Sequence, residues 1–235
     1  MRQLASLAVL AAILASPASL AAQAYQCRAP QVRNVPAITP DAPARTTPIT
    51  GYTLALSWSP EFCRLRKGEA RHALQCSGDN GRFGFVVHGL WPQGPRGWPQ
   101  WCPAQTRLTP AQVRRNLCMM PSPRLVARQW VKHGACMTRR PETYLGVTRI
   151  LWESLRLPDY DRLSREDDLT AGRIRSAFIE ANPDWPKGAV GVKLNERGWL
   201  EEVRLCYSRR FRPTRCDRAR FGARDGARAN IWRGL

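Results

Sequence analysis

Acidic residues are scarce in this chain: 18 Asp and Glu stand against 37 Lys and Arg, a formal charge of +19. A solubilising surface needs far less, and a field of this sign and size favours a polyanionic partner such as RNA, DNA or an anionic envelope. Histidine is rarer still, with three in 235 residues. No C-x-x-C pair occurs, and so few histidines leave the eight cysteines a poor ligand set for zinc. The absence of any N-x-S/T acceptor argues against N-glycosylation. Past the N-terminus no apolar run is long enough to span a bilayer, and no internal repeat points to a solenoid or propeller.

What is present starts with a leader. Arg2, an apolar run from Leu4 to Ala15 and small residues ending in Ala22-Gln23-Ala24 read as a secretory signal peptide over 1–24. The run is too short for a membrane anchor and is soon interrupted by Pro17. Roughly 210 residues then remain, enough for one domain with a real core. In an exported chain the even cysteine count, Cys27, Cys63, Cys76, Cys102, Cys118, Cys136, Cys206 and Cys216, predicts four disulfides. On the order of a hundred pairings are possible. Closeness and turn-bearing loops favour Cys63–Cys76 and Cys206–Cys216, with Cys136 joined to Cys102 or Cys118.

Residues 25–50, with Pro30, Pro36, Pro40, Pro43 and Pro48, read as an extended arm, tethered at its start if Cys27 is bridged. Tyr52, Leu54, Leu56 and Trp58 alternate along a strand over 51–58 that Pro60 ends. A polar loop over 67–82 leads to a second strand over 83–88. In the loop 93–102, Trp98 and Trp101 suit either base stacking or local packing. Thr109-Pro110 and Ser122-Pro123 are helix openings, the second for a helix over 123–134 closed by Gly134. Further helices are predicted over 141–155 and 170–181, then a hairpin from 190–194 and 199–207. A catalytic domain over 51–216 is followed by a basic, irregular tail, 217–235, predicted to be loosely held. Strands and helices mix without regular βαβ alternation, which makes the fold class α+β.

Two runs carry the chemistry. One is Arg128-Gln129-Trp130-Val131-Lys132-His133-Gly134-Ala135-Cys136, the other Phe85-Val86-Val87-His88-Gly89-Leu90-Trp91-Pro92. On a helix, Gln129, Lys132 and His133 stand at i, i+3 and i+4 and share a face, with Trp130 turned to the core. An amide, a cation and an imidazole make a poor core surface but a good phosphate site. A lone histidine is more often structural; here two of three, each followed by glycine, lie in distinctive runs on separate elements. RNA supplies its own nucleophile, the 2′-hydroxyl. Cleavage then needs a base, an acid and a cation for the charge that builds on phosphorus, roles that two imidazoles and an ammonium fill.

These two runs resemble the active-site segments of the ribonuclease T2 family. The likeness extends to Leu54-Ala55-Leu56-Ser57-Trp58-Ser59-Pro60-Glu61-Phe62-Cys63 and to Leu200-Glu201-Glu202-Val203-Arg204-Leu205-Cys206. The resemblance implies a central antiparallel sheet flanked by helices and held by disulfides. It also implies a secreted or periplasmic endoribonuclease that cuts single-stranded RNA by transphosphorylation through a 2′,3′-cyclic phosphate. By position, His133 corresponds to the general base, His88 to the general acid, Lys132 to the group that stabilises the intermediate, and Trp91 to a base-stacking residue. The partner implied is RNA, with no metal or cofactor, a monomer, and no membrane insertion once the leader is gone.

The chain departs from the family pattern at Arg128-Gln129, where His-Glu is common. Gln129 can donate to a phosphate oxygen without being protonated. It supplies no negative charge to favour a protonated His133, which Lys132 disfavours, so the implied outcome is activity with a shifted pH profile. The alternative is a catalytically weakened cationic RNA-binding protein or toxin on the same scaffold. A cysteine hydrolase built on Cys136 and His133 would leave an odd number of cysteines to pair.

Overall fold

The computed structural model of the protein describes residues 26–234, so the leader predicted at 1–24 lies outside the described residues. Its centre is an antiparallel sheet of order β2-β1-β4-β3, built from β1 (Gly51–Trp58), β2 (Phe85–Gln93), β3 (Val190–Leu194) and β4 (Leu200–Ser208). Alternation explains why β1 takes the middle. Leu54, Leu56 and Trp58 face the main core with Val203 and Leu205 of β4, while Thr53, Ala55 and Ser57 look to the other face. The second strand runs further than its apolar start suggested, because it continues through Pro92 and Gln93 in register with Gly51 and Tyr52.

Helices cover the core face. The chain passes from β1 into α1 (Ser59–Arg64) and α2 (Ala73–Cys76), and from β2 into α3 (Pro110–Arg115) and α4 (Pro123–Gln129). Thr109 and Gln112 form a reciprocal capping box on α3, and the Ser122 hydroxyl caps α4. Then come α5 (Ala135–Met137), α6 (Pro141–Glu153), α7 (Tyr160–Leu163), α8 (Ala171–Ala181) and α9 (Arg218–Phe221). Tyr144 of α6 and Ile174 and Phe178 of α8 are fully buried in the same core as Leu54 and Leu90. Among the described residues no helix is long and apolar enough to cross a membrane.

Four disulfides staple this frame: Cys27–Cys118, Cys63–Cys76, Cys102–Cys136 and Cys206–Cys216. The first ties the start of the extended arm to the helical layer. Further along, the arm forms an isolated bridge between Arg45 and Gln100.

The C-terminal segment corrects the expectation of a loose tail. Ala229 and Ile231 are buried, Leu200 N–H donates to Asn230 O at 2.8 Å, and Ala229 N–H donates to Leu169 O at 2.8 Å. Arg175 of α8 is buried and donates to Val190 O at 2.9 Å and Phe221 O at 2.8 Å, with its Nη1 on Asp225. Isolated apolar residues scattered among arginines carry no periodic signal, so the tail's packing was invisible until its partners were in place.

Candidate active site

His88 owes its position to a fault in the sheet. Ala55 pairs with Gly89 and Leu56 with Val87, so His88 has no partner on β1 and sits in a bulge. A bulge turns one side chain out of the regular alternation, a device common beside active sites. The imidazole Nδ1 lies 2.8 Å from Glu202 Oε1 on β4. Strands β2 and β4 are two spacings apart, roughly 10 Å. The two side chains meet because β1 presents only Ala55 and Ser57 between them, opposite Arg204 and Glu202.

Glu202 is almost wholly buried, which works to raise its pKa. The bond to His88 and the charges of His88 and Arg204 outweigh burial and leave the carboxyl below its ordinary value. Arg204 Nε donates to Glu202 Oε2 at 2.7 Å. With the carboxylate ionised, His88 Nδ1–H is the donor and Nε2 is the free nitrogen. That face of His88 is open, its side chain 41% exposed.

His133 comes from the helical layer. The predicted single α-helix over 123–134 is corrected: α4 ends at Gln129 and residues Trp130–Gly134 form a π-helical turn, closed by Ala135 N–H on Trp130 O. Such turns insert an extra residue and recur at functional sites. The three side chains of the working run are therefore unequal in exposure. Gln129 and His133 are buried, at 3% and 6% exposed, while Lys132 reaches outward. Burial first, then the charges of Lys132, His88 and Arg128, push His133 down to about 3, so the ring is neutral. Its Nδ1 is buried without a hydrogen-bond partner, which leaves Nε2 to exchange protons with any ligand.

Trp91 joins the two halves. Its ring is edge-on to His88 with centroids 5.1 Å apart and tilted to His133 at 6.0 Å. The indole N–H donates to Gln129 Oε1 at 2.9 Å, which fixes the amide. Both glycines that follow the histidines are demanded by close approach. A Cβ on Gly89 would lie 2.1 Å from Gln129 Oε1, and one on Gly134 would lie 2.6 Å from Trp130 Cε3. Tyr144 braces the strand from behind, its hydroxyl donating to Leu90 O at 3.2 Å.

The outer rim is cationic and unexpectedly countered. Asp41, from the arm, accepts a bond from Arg128 and lies 3.4 Å from Lys132 Nζ. Trp101, which is buried and so packs locally, lies beneath both cations at 5.3 Å, and its backbone N–H donates to Lys132 O at 2.9 Å. Trp98, by contrast, is exposed.

The sequence-predicted set, His88, Trp91, Gln129, Lys132 and His133, thus converges. Two partners were missed. Glu202 lay in a quoted run, but only register shows it opposite Ser57 and within reach of His88. Asp41 lies on an arm with no periodicity to direct it.

Residues 50–163 match the model of the ribonuclease T2 family. A "Probable ribonuclease" of Haemophilus influenzae is 29% identical over 181 residues, covering 72% of this chain and 61% of that protein. A "Ribonuclease" of Aeromonas hydrophila is 44% identical over 85 residues, 36% of each. The chain thus spans less than two thirds of the length of either relative. Among solved structures, the RNase-related protein from Calystegia sepium superposes with a TM-score of 0.61 at 20% identity, over 77% of this chain and 96% of that one, a likeness of fold. Over residues 50–163 the chain thus matches the ribonuclease T2 family, a likeness that these relatives and the α+β fold support.

Proposed function

We propose that the protein is an exported endoribonuclease that cleaves single-stranded RNA without a metal, through a 2′,3′-cyclic phosphate. The observation that carries this reading is the Glu202–His88–Trp91–His133 constellation: an oriented, open imidazole and a neutral, buried one, both against one indole. His133 accepts the proton of the 2′-hydroxyl, and His88, acting as the imidazolium with its Nδ1–H on Glu202, gives its Nε2 proton to the departing 5′-oxygen. In the second step the roles reverse and water opens the cyclic phosphate. A pKa near 3 suits a group that is unprotonated at rest. A phosphodiester brought beside it adds negative charge and raises its basicity towards the working range.

Lys132 stabilises the charge on phosphorus once RNA displaces Asp41. Gln129 holds Trp91 through Oε1 and keeps its amide nitrogen for a phosphate oxygen, since that nitrogen has no bond partner among the described residues. Trp91 stacks on a base. Residues 1–24 act as the signal peptide, and the mature protein works as a monomer in the periplasm or outside the cell. The second reading, a cationic RNA-binding protein with weakened catalysis, draws support from the engagement of Lys132 by Asp41 and the burial of Gln129.

The test is RNA digestion by the native protein, His88→Ala and His133→Ala. The native protein should release products ending in 2′,3′-cyclic phosphate, and each variant should be slower by at least ~100-fold. Equal cleavage by all three would sink the assigned chemistry, and tight binding with no cleavage by the native protein would favour the second reading.

A further inference from the structure

A larger cavity lies on the other side of α1 from His88. Its volume is about 780 Å³, and Lys67, Arg82, Arg233, Arg64, Asp161 and Trp232 are among its lining residues. The side chains of Lys67 and Arg82 have no ion-pair or hydrogen-bond partner among the described residues, and that of Arg233 reaches only Asp161, at 4.0 Å. Asp161 is itself bound by Arg165 at 2.8 Å. Arg64 is spent differently: its guanidinium lies 4.8 Å from the Trp199 ring and 4.6 Å from the Trp232 ring, which fixes Trp232 as an aromatic wall. Three cations gathered in a concavity whose one acid is already held by Arg165 repel one another, an arrangement whose cost an anionic ligand removes.

The position says which anion. Helix α1 is the partition: Pro60, Cys63 and Arg64 line this cavity, while Glu61 and Phe62 line a second one, of about 280 Å³, that contains His88. The two cavities are therefore about one helix width apart, roughly 10 Å. A strand whose scissile phosphate sits at His88 can continue over α1 and lay further phosphates among Lys67, Arg82 and Arg233. We propose that this cavity is a secondary site for the phosphate backbone of single-stranded RNA, outside the cleavage site, with Trp232 as an aromatic wall for a base. The choice of RNA rests on the ribonuclease reading above; the anion site itself does not.

A dinucleoside monophosphate is too short to reach both cavities, so comparing it with long RNA isolates the site. The experiment measures kcat and KM on both substrates over a range of salt. It uses the native protein, the triple variant Lys67→Gln/Arg82→Gln/Arg233→Gln, and a charge-matched triple variant, Arg209→Gln/Arg210→Gln/Arg212→Gln. The control residues follow Ser208, which pairs with Gly51 at the opposite end of β1 from Ser59, a lining residue of the cavity. For the cavity variant, the KM for long RNA should rise roughly tenfold or more and the salt slope should become shallower by about 2. Its dinucleotide kcat/KM should stay within about twofold of native, and the control should leave the long-RNA KM within that same range. Unchanged long-RNA kinetics, an equal loss on both substrates, or the same loss in the control would each overturn the proposal. Equilibrium binding of a long single-stranded 2′-deoxy oligonucleotide, which lacks the nucleophile, reads the site even if the native protein cleaves nothing. Failure of the site and failure of the ribonuclease reading are thereby told apart.

Discussion

His88 is carried by a strand, oriented by a buried carboxylate and open to solvent; His133 is carried by a helix, buried, and its Nδ1 has no hydrogen-bond partner. The strand histidine gets its orientation from a distant part of the chain, 114 residues away at Glu202. The helical one gets its protonation state from its surroundings: burial first, then the cation beside it in sequence. One imidazole type is thus placed in two opposite environments, which under the proposed mechanism suit its two tasks, and both rings lie against Trp91.

The sharpest way to break the contrast is to remove the orienting carboxylate. Glu202→Gln keeps a hydrogen-bonding side chain but loses its charge, and kcat on RNA should fall roughly 10- to 100-fold, with a changed pH profile and little change in KM. A fall in KM and kcat together with loss of folded protein would mark Glu202 as merely structural.

The next effect belongs to the buried half and concerns stability. His133 has a folded pKa of about 3, well below the ordinary value for histidine, about 6.5. Between those values the unfolded state binds more protons. The contribution of the neutral ring is therefore whole above about pH 6.5 and is lost as pH falls towards 3, by up to ~1.4 kcal/mol per pH unit. Urea denaturation at pH 4 and pH 7 should show a larger acid loss for the native protein than for His133→Leu. Parallel losses would mean that other groups set the acid limb.

A smaller change should follow Gln129→Glu. The added carboxylate beside Trp91 favours a protonated His133, so the acid limb of the pH–rate profile should move to higher pH. Identical profiles for the two proteins would refute a role for residue 129 in tuning the site. Least of all should come Asp41→Asn, because the pair sits at an exposed rim. Freed from their counterion, Arg128 and Lys132 should lower the KM for RNA by roughly threefold or less, and the difference should vanish in high salt. A raised KM would mean that Asp41 positions Lys132 instead of competing with phosphate.

Much of this was legible early, for reasons that can be named. Period-two alternation marked β1 and the β3–β4 hairpin, the Thr109 and Ser122 caps marked two helix starts, and short separations marked Cys63–Cys76 and Cys206–Cys216. The glycine after each histidine looked like a motif, and the structure supplies its cause: Gln129 beside one and Trp130 beside the other leave no room for a Cβ. What stayed hidden were relations between distant residues. The π turn at Trp130–Gly134 looks α-helical by spacing, and the tail's anchoring to Arg175 depends on a buried cation reaching across several elements.

The sequence by itself determined the charge, the eight cysteines, the alternating strands and the presence of two His-Gly runs, because each is a local property of neighbouring residues. Only the tertiary structure decided that His88 sits in a bulge against Glu202, that His133 is buried and neutral, and that Asp41 lies on Lys132. Those are matters of register, burial and long-range contact, and a pKa or an orientation exists only once distant parts of the chain have been brought together.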